Sequence, residues 1–161
     1  MITIMEAAAY YRASAARCEA ELSTIVVTVI EHAAVLARGY IGHEQNGWPM
    51  AWEPLSRATV EGFLHHSGRW IPGKESLGYG GYESPLLREG DMRDSIDTNV
   101  IGLFGEVGSN EKKALWNELG TPGADYPIPP RPFLAKGLMD ASYETEALAG
   151  AVALDLLFPK A

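Results

Sequence analysis

His43, next to Glu44, and the adjacent His65 and His66 are the side chains of this chain best suited to holding a metal ion. A zinc hydrolase places two histidines at i and i+4 on one helix face with a glutamate between them, whereas neighbouring helical residues point about 100° apart. His65 and His66 therefore do not share one ion easily, and read as exposed histidines ending a short helix before Gly68. Cys18, the single cysteine, sits in an Ala-rich stretch without a histidine nearby and reads as a small buried side chain rather than a nucleophile. One cysteine excludes an intramolecular disulfide and a Cys-rich zinc site.

The other catalytic patterns are equally bare. There is no Gly-x-Ser-x-Gly elbow, and "GYGGY" at 78–82 lacks the Lys-Ser/Thr of a phosphate loop. Glu106, Glu111 and Glu118 are carboxylates that no spacing sets at a working separation. The reading is of a protein that is not an enzyme, with no catalytic, cofactor-binding or metal residue and no cofactor. A small metal-dependent hydrolase using His65 and His66 is the catalytic alternative, and a binding adaptor is the other. Trp48, Trp52 and Trp70 fall in or beside loops with little local core to enter, and Trp is enriched at interfaces. They are candidate interface aromatics, set beside the rival reading in which they and Trp116 seal the domain's own core.

The elements that must position these residues follow from periodicity and breakers. Leu22, Ile25, Val29, Ala33 and Leu36 recur at three or four, predicting a helix through 1–39 with Gly39 as its stop. The β-branched run "TIVVTVI" at 24–30 suits a strand, but the helical period continues through it. Segments 40–54 and 69–83, rich in Gly and Pro, are expected as arms or loops, the second ordering only on assembly. Between them, residues 54–68 read as a short helix capped by Ser56. Over 84–127 the spacing predicts a helical turn or two, strands broken by Gly102, Gly105 and Gly108, and a short helix capped by Asn110 and ended by Gly120. The last unit, 128–158, is "IPPRPFL" followed by a helix starting at Pro132, with Leu134, Leu138, Ala141, Leu148, Val152 and Leu156 inward and Asp140, Glu144 and Asp155 facing water. The fold class is α+β in one domain, 1–161: long N- and C-terminal helices packed on a small antiparallel sheet, with extended arms.

A chain of 161 residues with 47% hydrophobic and 21% charged positions can bury a core, which excludes a disordered chain. Its formal charge of −8 argues against adhesion to nucleic acid or an anionic membrane through the whole-protein field. No uninterrupted apolar run reaches the ~18 residues of a membrane span, and the N-terminus lacks a signal-peptide pattern, so no membrane contact is expected.

Three ordered fragments carry a resemblance. "WEPLSRAT" (52–59), "SPLLREGDMRDSI" (84–96) and "GSNEKKALWNELGTPGADYPIPPRPFL" (108–134) together resemble the tail-completion and virion-morphogenesis proteins of long-tailed phages, of the phage Mu morphogenesis type. The matching positions are Trp52, Pro54, Leu55, Gly90, Arg93, Ser95, Glu118, Gly120, Thr121, Pro130, Arg131, Pro132 and Phe133; Glu89, Met92 and Leu119 depart from the common residues of that pattern. The resemblance implies a structural virion protein of the neck or tail end, made in the host bacterial cytoplasm. It would form a ring, hexamer or dodecamer, against the head connector or adaptor and the tail terminator or tail tube, with DNA only as passing cargo. An acidic lumen would fit such cargo, because phosphate contacts are what make DNA adhere. Within the cassette, the prolines hold residues 129–131 extended, Phe133 is expected to enter the core, and the Arg131 fork suits a carboxylate such as Glu118 or one on a neighbouring subunit.

Overall fold

The computed structural model describes residues 4–43, 52–82, 84–87, 89–123 and 127–157, without the side chains of Ala7, Leu148 and 151–157. The order is α1 (Ile4–Tyr40), α2 (Arg57–Glu61), β1 (Gly62–Leu64), β2 (Trp70–Pro72), a 3-10 turn (Glu75–Leu77), α3 (Asp91–Asp94), β3 (Ile96–Ile101), β4 (Phe104–Ser109), α4 (Lys112–Leu119) and α5 (Leu134–Leu157). The fold is α+β, with its strands divided between two antiparallel hairpins, β1–β2 and β3–β4.

Helix α1 runs without a break through the β-branched stretch. Thr24 and Thr28 turn their hydroxyls back onto the carbonyls of Ala20 and Thr24, at 3.1 and 2.9 Å, which satisfies them inside the helix. Gly39 does not stop it: the helix reaches Tyr40, and the chain turns at Gly42, whose φ of 94° is the left-handed conformation a glycine supplies. Averaged over 18 residues, α1 is long and apolar enough to cross a membrane by length and composition, although polar residues interrupt its apolar run.

Helix α5 lies antiparallel on the second half of α1. A Cβ on Gly137 would meet the Ala33 carbonyl oxygen at 2.7 Å and the Ala37 Cβ at 3.1 Å, so the backbones cross almost in contact. Farther along, His32 reaches Glu144 at 3.2 Å. The β3–β4 hairpin covers the neighbouring face of α1, with Ile96 opposite Ser109 and Ile101 opposite Phe104. There Gly105 leaves room for Ile30, which a Cβ would approach at 2.4 Å. The buried cluster gathers Ala34, Ala37, Ile41, Trp52, Met92, Ile96, Ala114 and Phe133, with Tyr40, Leu86, Leu87, Val107 and Leu134 against it. Small residues at the helix crossing and large ones beside it fill this core by shape.

Several expected boundaries move. The helix expected to end at Gly68 stops at Glu61, because Gly62 takes φ 98° and the chain turns extended into β1. The expected loop over 69–83 begins as β2, paired Gly62 to Pro72 and Leu64 to Trp70. Asn110 is not the cap of α4: Glu111 is, and its amide is held by the Ser109 hydroxyl at 3.1 Å. Helix α5 starts two residues after Pro132, with the Phe133 carbonyl accepting the first turn from Gly137 at 3.0 Å. Asp140 does not face water but accepts hydrogen bonds from Tyr40 and, at 2.7 Å, from Lys136. Leu138, expected inward, is exposed, while Leu134 is half-buried and Ala141 buried. The arm expected over 40–54 falls largely on 44–51, outside the described residues, as do the side chains of Leu148, Val152, Asp155 and Leu156.

Candidate assembly site

The cassette that stands out in the sequence forms a joint between three segments of chain. Arg131 is 5% exposed, and its guanidinium donates to the Glu53 carbonyl through Nη2 at 2.9 Å and Nε at 3.3 Å, with Pro54 O at 3.4 Å from Nη2. Its amide donates to the Asn117 carbonyl at 2.6 Å. Burial pulls the Arg131 pKa down, and the nearby charge of Glu53 partly offsets this. The expected pairing of Arg131 with Glu118 does not occur. Fixed-φ prolines on either side leave Arg131 facing the 53–54 backbone, while Glu118 serves a different group.

Glu118, at the end of α4, caps α5. Its carboxylate accepts from the amides of Phe133 (2.9 Å), Leu134 (3.0 Å) and Ala135 (2.8 Å), three donors that a helix N-terminus otherwise leaves without partners. A negative charge there also meets the positive end of the α5 dipole. The connection between the helices is fastened at its base, with Thr121 N donating to Ile128 O at 3.0 Å and Ile128 N to Thr121 Oγ1 at 2.8 Å. Gly120 is required at this closure: its φ is 71°, and a Cβ would lie 2.8 Å from Ile128 O.

The other motif positions surround the same joint. Trp52 and Phe133 are both in the buried cluster, the latter as expected. Trp52 thus fills the core instead of anchoring an interface, and its buried Nε1 has no acceptor among the described residues. Pro54 and Leu55 line a cleft of about 790 Å³ with Ile71, Ile128, Pro129 and Arg131. Gly90 opens α3 at φ 97°. Ser95 donates to Met92 O at 2.8 Å and meets Ser109 Oγ at 2.6 Å, tying the first residue before β3 to the last of β4. Arg93 is exposed and contacts Asp94 at 3.0 Å. Pro130 is exposed and Pro132 half-buried.

Trp70 remains 55% exposed and Trp116 is exposed as well, while Trp48 lies outside the described residues. The tip of the β3–β4 hairpin adds Ile101, Leu103 and Phe104 to this exposed apolar set.

The histidines sit apart from this joint. The His65 and His66 rings lie side by side, tilted by 42° with centroids 3.8 Å apart, and His65 Nδ1 is 2.8 Å from Ser67 Oγ at the start of the β1–β2 turn. Among the described residues, no group of three or more His, Cys, Asp or Glu is placed to hold a metal ion. Cys18 is half-buried in α1 rather than fully enclosed.

A polar junction that single residues do not advertise lies at the other side of the joint. Tyr40 donates to Asp140, and the Lys136 ammonium stands 4.8 Å from the Tyr40 ring centroid. Burial, then the hydrogen bond to Asp140, push the Tyr40 pKa well above 10. Burial opposes the Asp140 charge, but the hydrogen bonds from Lys136 and Tyr40 outweigh it and hold the carboxyl below its usual range. Lys136 and Asp140 at i,i+4 were the one available sequence signal. No protein-family model, no curated protein and no solved structure matches this chain.

Proposed function

We propose that the chain is a structural virion protein of the phage neck or tail end, acting in tail completion or head-to-tail joining as a ring around the DNA exit channel. The observation that carries the reading is the convergence of the three resembling fragments: Trp52 of the first and Phe133 of the third, 81 positions apart, share one buried cluster with Met92 and Ile96 of the second, and Arg131 and Glu118 fasten the chain beside it. A shared motif whose members hold a scaffold together fits a structural role better than a reaction, since Arg131 and Glu118 are both engaged with the chain's own backbone. Exposed Trp70, Trp116 and the hairpin tip supply apolar surface of the kind that heterologous ring contacts use. The partners of this reading are other copies of the chain, the head connector or adaptor, and the tail terminator or tail tube.

Purified protein added to extracts that lack tail completion tests it, with negative-stain microscopy of the protein alone and with neck components. Restored joining and a ring-shaped particle are the expected results. A strict monomer that also fails to join heads to tails overturns the reading.

A further inference from the structure

Helix α1 carries a seam with strict alternation of four and three: Ile4, Ala8, Tyr11, Ala15, Cys18, Leu22, Ile25, Val29, His32 and Leu36. A heptad repeat of this kind keeps one face of a helix turned toward a partner helix. In the second half of α1 the partner is α5, at His32–Glu144. In the first half the seam lies open: Ile4 is 89% exposed, Tyr11 71% and Leu22 41%. The two halves meet at an apolar crevice of about 450 Å³ between the helices, lined by Ile25, Val29, Met139, Tyr143 and Ala149 among others.

We propose that this seam is an interface with a second copy of the chain, the two α1 helices pairing antiparallel into a four-helix assembly with both copies of α5. Charge complementarity selects this occupant and this direction. The flanking positions on one side of the seam are Met5, Arg12, Glu19 and Val26, and on the other Ala7, Ser14, Glu21 and Thr28. An antiparallel register with Ala15 opposite Cys18 of the second copy sets Arg12 beside Glu19 of that copy, twice by symmetry, and brings no like charges together. A parallel in-register pair sets Arg12 against Ala7, Glu19 against Ser14 and Glu21 against Val26, with no ion pair. The antiparallel register also places Ile4 of each copy over Val29 of the other, at the mouth of the apolar crevice. The contact is isologous, distinct from the head-to-tail contacts that close a ring, and rests on α1 and α5 rather than on the neck reading.

Sedimentation of the full chain over a range of concentrations tests it. The expected result is reversible dimerisation or a multiple of it, weakened at least tenfold by Tyr11→Glu with helical circular dichroism retained. Arg12→Glu weakens association severalfold, and the exchanged pair Arg12→Glu with Glu19→Arg restores it. Ala15→Cys gives a disulfide with Cys18 of the second copy under mild oxidation. A monomer at every concentration overturns the proposal, as does association indifferent to Tyr11→Glu or an exchanged pair that fails to restore it. A chain that stays monomeric and instead floats with phosphatidylcholine–phosphatidylglycerol vesicles, losing this with Tyr11→Glu, overturns it in favour of a lipid surface. Failure of head-to-tail joining leaves these outcomes unchanged, so the two readings fail separately.

Discussion

Gly137 of α5 rests on the backbone of Ala33 in α1, with space for a hydrogen but not for a methyl group, since a Cβ would lie 2.7 Å from the Ala33 carbonyl oxygen. The obstacle is main chain and cannot rotate away. Gly137→Ala is expected to destabilise the fold by about 1–3 kcal/mol through forced separation of the helices. Gly150, on the same helix with nothing within 4 Å of an added Cβ, is the control. There alanine is expected to stabilise by roughly 0.5–1 kcal/mol from helix propensity. Urea denaturation of both variants measures the difference in sign.

The Glu118 cap serves three amides at once, so Glu118→Ala should cost about 1–2 kcal/mol. Glu118→Gln keeps an acceptor oxygen but loses the charge at the helix N-terminus, and should fall between the two. Thermal unfolding of the three proteins at neutral pH orders them; equal stability of Glu118→Ala and the parent would contradict the capping role.

Arg131→Lys preserves the charge but not the fork that reaches Glu53 O through two nitrogens. The expected loss is about 1–3 kcal/mol, measurable as a lower urea midpoint. Normal stability and normal ring assembly of this variant would remove Arg131 from the joint's essential parts.

Tyr40 and Asp140 make stability depend on pH at both extremes. The Asp140 pKa is depressed in the folded chain, so its contribution is present above the usual value near 3.8 and is lost as pH falls through the lower folded-state value. The Tyr40 pKa is raised, so its contribution is fully present below pH 10 and is lost as pH climbs above it. Tyr40→Phe should cost about 1–2 kcal/mol at neutral pH and remove this residue's share of the alkaline loss. Denaturation midpoints at pH 7 and at pH 11 check both parts.

The long helices, the β3–β4 hairpin and the burial of Phe133 were legible because each is written in local spacing. Leu22 through Leu36 repeat at helical intervals, and Gly102 interrupts an alternating run. What spacing does not encode is which distant backbone a side chain will meet. Arg131 invited a carboxylate by its chemistry, yet the prolines aim it at the carbonyls of Glu53 and Pro54, leaving Glu118 to the α5 amides. Gly62 was invisible as a helix end because its neighbours Phe63 and Leu64 suit either structure, and only the closeness of Ile71 and Gly73 across the hairpin decides it. Asp140 looked like a solvent-facing charge because Tyr40, its partner, is 100 positions away.

The Glu118 cap also sets the order in which this region opens. A carboxylate on the last turn of α4 holds the first amides of α5, and the Asn117 carbonyl beside it in the same turn holds the Arg131 amide. Fraying the end of α4 therefore releases the start of α5 in the same event, and the first amides of α5 are expected to lose exchange protection together with the last turn of α4.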